Sequence, residues 1–274
     1  MSGRVAEAVA KRGCSIDDRQ AQVWACLQGV TDPELDESVV ELNFVTRADV
    51  DALNRVHIEF RLPTYWCAAN FSFLMADDMR SAVSALDWVE GVSVVLGEHM
   101  YADKINAGLE KGLSFRETFG TEADGNLDDL RQTFLVKAFQ RRQIALLNHL
   151  TSVGFQPETI VCLTLAELGR LPVDDAGEKL VRRYLERRAV VGPTPADAPA
   201  FVDAAGVQLK ADGFAAYVSG LRRVCVNAEF NGALCRGLLS ARFDLDTPFV
   251  PRSRNSSPST DHNPGDAGGN HPVE

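Results

Sequence analysis

The sequence predicts an α+β protein. An αββαβ domain spans residues 15–104, a linker 105–126, a mainly α-helical region 127–250 and a disordered tail 251–274. Three observations carry this reading. Val56, Ile58, Phe60 and Leu62 alternate with His57, Glu59 and Arg61, the period of a half-buried strand. Apolar residues at helical spacing stand on both sides of that strand, and long helical runs resume after residue 127. The last two dozen residues carry almost no large apolar side chains, so they lack the means to form a core.

The elements follow in order. Ser15, with Asp17 and Asp18 behind it, suits a helix N-terminus, where negative charge is favoured. Val23, Trp24, Leu27 and Val30 then recur at helical spacing. Thr31-Asp32-Pro33-Glu34 ends the helix, because proline cannot continue it. Val39 to Val45 reads as a strand with Val40, Leu42 and Phe44 on one face, and residues 47–55 as a polar loop of a hairpin. A helix is expected from Cys67 to Leu86, with Phe71, Met75, Met79, Ala82, Val83 and Leu86 as its apolar stripe. Glu90-Gly91 turns the chain into a third strand carrying Val92, Val94 and Leu96. Strand, helix and strand in that order imply a parallel, right-handed crossover.

Residues 108–125 are rich in glycine and polar side chains and read as a linker. Helices are expected over 127–153, with Gly154 as the stop, over 176–189, and over 214–242 with an interruption at Gly232. Residues 192–200 hold three prolines and form a loop. Arg182, Arg183, Arg187 and Arg188 are expected on a solvated helix face.

The formal net charge of −10 excludes the electrostatic footprint of a nucleic-acid binder and disfavours anionic membranes. No apolar run approaches the roughly 18 residues of a membrane span. The first residues lack the apolar stretch of a signal peptide, so a cytoplasmic location is expected. The six cysteines form no CxxC pair and are expected as reduced thiols.

Cys67 stands where a strand gives way to a helix, a place where amide N–H groups and the helix dipole favour a thiolate, the form that binds metal. Asp32 and Glu34 lie in the preceding helix–strand loop, where carboxylates can ligate a hard cation or simply form an Asp-Pro turn. His99 follows the third strand and is expected to be satisfied or exposed, and His57 to be solvated. Cys162, Cys225 and Cys235 lack structural-zinc spacing. Cys225 and Cys235 would point about 80° apart on one helix. All three are expected as core thiols. No Walker loop, dinucleotide glycine motif or paired-histidine helix is present.

Val30-Thr31-Asp32-Pro33-Glu34-Leu35, the segment Ser38-Val39-Val40-Glu41-Leu42, the Pro63-Thr64-x-x-Cys67 turn and Gly91-Val92-Ser93-Val94 together resemble the SufT/PaaD-like metal–sulfur cluster biosynthetic factors, over roughly residues 18–100. The resemblance implies an iron–sulfur-assembly-type αββαβ fold. It also implies a non-enzymatic role in assembling or delivering iron or an iron–sulfur cluster, held transiently. Cys67 corresponds to the family's cysteine, and Asp32 and Glu34 to its acidic motif. One branch resembles accessory proteins of diiron monooxygenases, which makes such a subunit the expected client metalloenzyme. One cysteine cannot complete the usual four-thiolate ligation, so a second thiolate is expected from a homodimer mate or the client. The alternative is an adaptor that holds an apo-oxygenase subunit without carrying metal.

The chain departs from the family pattern around the thiol. Tyr65, Trp66 and Ala68 replace small residues and proline, so two aromatics either wall off Cys67 or form a docking surface. The region after residue 110 has no counterpart in the resemblance.

Overall fold

A computed structural model describes residues 15–120 and 127–243. The expected disordered tail at 251–274, residues 244–250 of the expected helical region and residues 121–126 of the expected linker lie outside the described residues.

The N-terminal domain has the expected αββαβ order: α1 (Ile16–Gln28), β1 (Val45–Val50), β2 (Arg55–Phe60), α2 (Ala69–Ser84) and β3 (Gly91–Leu96). Ser15 opens α1 with a capping box, its hydroxyl accepting the Asp18 N–H while the Asp18 carboxylate accepts the Ser15 N–H. The sheet runs β1-β2-β3, with β1 antiparallel and β3 parallel to β2. Ile58 pairs with Val94 and Phe60 with Leu96. Val56, Ile58 and Phe60 are buried, while Arg55 is exposed and His57 and Glu59 are half-buried on the other face. Helices α1 and α2 cover the apolar face, where Val23, Leu27, Phe73, Met79 and Val83 complete one core. Full burial of each such side chain contributes about 1.5–3 kcal/mol.

The first strand lies further along the chain than its apolar pattern suggests. Val39 to Asn43 forms turns, with the Leu42 N–H donating to the Ser38 carbonyl and Asn43 in the left-handed region at φ 56°. Residues 47–50, expected in the hairpin loop, belong to the strand, which shares only Val45 with the expected one. A bulge between Val45 and Arg47 breaks its alternation, so the buried set is Val45, Ala48 and Val50. Asp51 closes the hairpin by accepting the Leu53 and Arg55 N–H groups on one carboxylate oxygen.

The segment expected as a linker carries two helices, α3 (Ala102–Glu110) and α4 (Phe115–Phe119). Ile105, Leu109, Phe115 and Phe119 are buried in the N-terminal core. Ser114 and Glu117 form a capping box that starts α4 despite its glycine-rich surroundings. A β-carbon added at Gly108 would clash with the Thr118 side chain. Gly108→Ala is therefore expected to push α4 away. The overpacking cost of about 1–3 kcal/mol is partly offset by alanine's helix preference of about 1 kcal/mol. A lower thermal midpoint together with faster hydrogen exchange at residues 115–119 checks this. Unchanged exchange there would show that α4 does not depend on the missing side chain.

The C-terminal region is helical: α5 (Leu127–Ser152), α6 (Pro157–Cys162), α7 (Leu165–Leu168), α8 (Asp175–Arg188) and α9 (Phe214–Phe243). Gly154, at φ 99°, provides the expected stop after α5. Helix α9 runs through Gly232 without the expected break. A second core centres on Tyr184, stacked on Phe201 at 5.4 Å and beside Phe139 at 5.7 Å. The Tyr184 hydroxyl donates to the Ala200 carbonyl, which satisfies its polar end.

The arginines of α8 divide in a way their sequence does not show. Arg182 and Arg183 are exposed as expected. Arg188 is instead buried and donates to the Ala200 and Pro199 carbonyls. Arg187 reaches into the N-terminal domain to Asp36 and Thr31. The two halves thus pack together. Phe71 of α2 meets Phe134 of α5 edge-on at 4.9 Å, and Arg131 pairs with Asp78 at 2.8 Å. The C-terminal end of α9 lays Leu239 into the N-terminal core.

Candidate functional site

Cys67 lies in the loop between β2 and α2, two residues before the first helical residue. Its partly buried thiol stands 3.0 Å from the Thr64 hydroxyl. The loop is held by the segment that follows the neighbouring strand, β3. His99 is buried, and its Nδ1 accepts the Tyr101 N–H, which leaves Nε2 as the protonated nitrogen to donate to the Cys67 carbonyl at 2.8 Å. Burial pulls the His99 imidazole below its usual pKa and keeps it neutral in this role. The Met100 N–H donates to the Tyr65 carbonyl, a second tie between the same two loops. His99 is thus the satisfied histidine expected from its position. His57 sits beside Glu59 on the solvent face of the sheet, away from this loop.

Beside the Cys67 thiol, Trp66 is 71% exposed and Tyr65 51% exposed.

Asp32 and Glu34 occupy a loop that folds back on itself. One Asp32 carboxylate oxygen accepts the Glu34 N–H at 2.9 Å and the Leu35 N–H at 2.7 Å. Burial pushes the Asp32 carboxyl up to about 6, against these two amides; the Glu34 charge adds to the rise and Arg141 opposes it. Glu34 is engaged at both ends. Its carboxylate accepts from Asn231 of α9 at 2.7 Å, and its carbonyl accepts from Arg141 of α5 at 2.5 Å.

The remaining cysteines separate. Cys162 is exposed rather than in a core. Cys225 packs against the second core. Cys235 packs against the N-terminal core, as Cys67 does. The Cys235 thiol is pushed up to about 11, first by burial and then by the charges of Asp32, Cys67 and Glu34, with Arg236 pulling the other way. Asn231 ties α9 to the Glu34 carboxylate and Arg242 ties it to the Leu62 carbonyl ahead of the Cys67 loop, and Cys235 lies between these two anchors on the helix. No local signal marks Cys235, because only the packing of α9 brings it there. Among the described residues, no group of three or more His, Cys, Asp or Glu side chains is already arranged to hold a metal ion.

No helix among the described residues is long and apolar enough to cross a membrane. No curated protein matches the chain. Residues 20–94 match the family described as iron-sulfur cluster assembly protein. The match runs from α1 into β3 and takes in the Asp32–Glu34 loop and Cys67, while α3 onward lies beyond it. With its αββαβ order and Cys67 in the turn before α2, the N-terminal domain is similar, over residues 20–94, to the family described as iron-sulfur cluster assembly protein.

Proposed function

We propose that the protein is an assembly factor that loads iron or an iron–sulfur cluster into a client metalloenzyme, with a diiron monooxygenase subunit as the client class. Cys67 is the thiol that handles the cargo, and Asp32 and Glu34 assist it by binding metal or fixing their loop. The observation that carries this reading is the position of Cys67: a partly buried thiol, inside the family-matched segment, on a loop clamped by His99. Thiolates are the usual ligands of such cargo. A nucleophilic enzyme is a poorer fit, because His99 binds the Cys67 carbonyl and not its sulfur, so it does not serve as the thiol's base.

Anaerobic reconstitution with iron and sulfide tests the reading, with wild type beside Cys67→Ser. The expected result is an iron or cluster signal in absorption and Mössbauer spectra for wild type, lost in a variant with an unchanged circular dichroism spectrum. Equal iron in both proteins would remove Cys67 from the role.

One observation favours a second reading, an adaptor that holds the apo-client without carrying metal. Tyr65 and Trp66 present apolar surface beside Met100, itself 48% exposed. Exposed aromatics of this kind are typical anchors for a partner protein. In that case Trp66→Ala would abolish client capture and Cys67→Ser would leave it intact.

A further inference from the structure

Helix α9 meets the N-terminal domain along one face. Asn231 reaches the Glu34 carboxylate at 2.7 Å. Arg242, eleven residues on, reaches the Glu98 carboxylate at 2.9 Å and the Leu62 carbonyl at 3.4 Å, where the Cys67 loop begins. Between these anchors, Leu239 is buried in the N-terminal core. Positions three and four apart share a helix face, so Asn231, Cys235, Leu239 and Arg242 lie on one side of α9. That side faces the Asp32–Glu34 loop at one end and the Cys67 loop at the other, and Cys235 stands between them. Gly232 lets the helix come close: a β-carbon there would meet a Leu35 methyl at 3.3 Å. Arg236 adds an ion pair to Glu37 at 2.6 Å. Val226 and Phe230, turned well away from that side of α9, are more than half exposed, so the direction of Cys235 is set by packing.

We infer that Cys235, on α9 and outside the family-matched segment, is the second thiol of the site, so that iron or cluster cargo is held between Cys67 and Cys235. This rests on the assembly-factor reading and adds the ligand that one cysteine leaves wanting. The second thiolate then comes from the same chain, without a dimer mate. Two thiolates fill half of the usual four-thiolate set. The remaining positions stay open, which suits cargo that must pass to another protein. The C-terminal helix is then part of the carrier, and its docking through Asn231, Leu239 and Arg242 controls whether the thiol pair exists.

The full-length protein tests this by two measurements under anaerobic conditions. The first titrates cobalt(II), a spectroscopic substitute for iron(II), into wild type, Cys67→Ser, Cys235→Ser and the double variant. Wild type is expected to show a sulfur-to-cobalt charge-transfer band, weakened in each single variant and absent from the double one. A band lost in Cys67→Ser but undiminished in Cys235→Ser would overturn the inference and leave the assembly-factor reading standing. No band in wild type would remove both. The second measurement needs no metal. Dibromobimane, which fluoresces after bridging two neighbouring thiols, is expected to link Cys67 to Cys235 in the peptide map. Separate alkylation of the two, with no bridged peptide, would also overturn the pairing.

Discussion

Replacing Asp36 is expected to cause the largest loss of stability in the chain. Its carboxylate is 5% exposed and accepts two hydrogen bonds from Arg142, at 2.5 and 2.9 Å, and two from Arg187, at 3.0 and 3.2 Å. Arg142 is itself 8% exposed. Removing the acid leaves a buried guanidinium supported only by Glu186 and the Arg183 carbonyl. Breaking one side of a buried ion pair costs about 3–5 kcal/mol, most of it the unpaired charge left behind. Asp36 also adopts the left-handed region, at φ 53°. Asparagine tolerates that backbone and alanine does not, a difference of about 1 kcal/mol. Asp36→Asn is therefore expected to lose about 3 kcal/mol, and Asp36→Ala about 1 kcal/mol more. Urea unfolding at neutral pH, followed by tryptophan fluorescence and circular dichroism, measures both. The pair joins the N-terminal domain to α5 and α8, so the two probes are expected to separate into distinct transitions in the variants. Adding Arg142→Met to Asp36→Ala should recover part of the loss, because the stranded charge goes with it. A midpoint unchanged from wild type would show that the two halves are held by apolar packing alone.

The same residues show what local sequence conveys and what it does not. The αββαβ order was legible because each element buries its own periodic stripe: the alternation around Ile58 and the helical spacing of Met75, Met79 and Val83 both match the buried sets. The first strand was displaced because a left-handed Asn43 and a bulge at Val45 interrupt the alternation that marks strands. Helix α4 carried a readable signal, the Ser114–Glu117 capping box, hidden by glycines at 112 and 120. Cys67, Asp32 and Glu34 could be singled out from motif and position. Asp36 with Arg142 and Arg187, and Cys235 beside the Cys67 site, could not. Each of those pairings joins segments far apart in the chain, and nothing in either segment names its partner.

Asp32→Asn is expected to stabilise the protein at neutral pH, and the pH dependence identifies the cause. The Asp32 carboxyl titrates at about 6 in the folded chain against an ordinary value of 3.8, because burial penalises its charged form. The folded state therefore holds its proton to higher pH than the unfolded chain does. Linkage fixes the sign: stability is greatest below about 4, falls as the pH rises towards about 6, and stays reduced above that. At about 1.4 kcal/mol per pKa unit the full cost is about 3 kcal/mol, reduced to about 2 kcal/mol because the residue keeps some exposure. Asparagine can accept the same Glu34 and Leu35 N–H groups on its amide oxygen while carrying no charge. The metal-free variant is thus expected to exceed wild type by about 2 kcal/mol in urea at pH 7.5 and to match it at pH 3.5. An equal difference at both values would assign the effect to packing. A less stable variant at pH 7.5 would mean that the charge is compensated in the folded state. A carboxylate that costs stability at neutral pH, on the loop that Asn231 of α9 ties down through Glu34, is the arrangement expected of a residue kept for its charge. Iron loading of Asp32→Asn should accordingly fall as its stability rises.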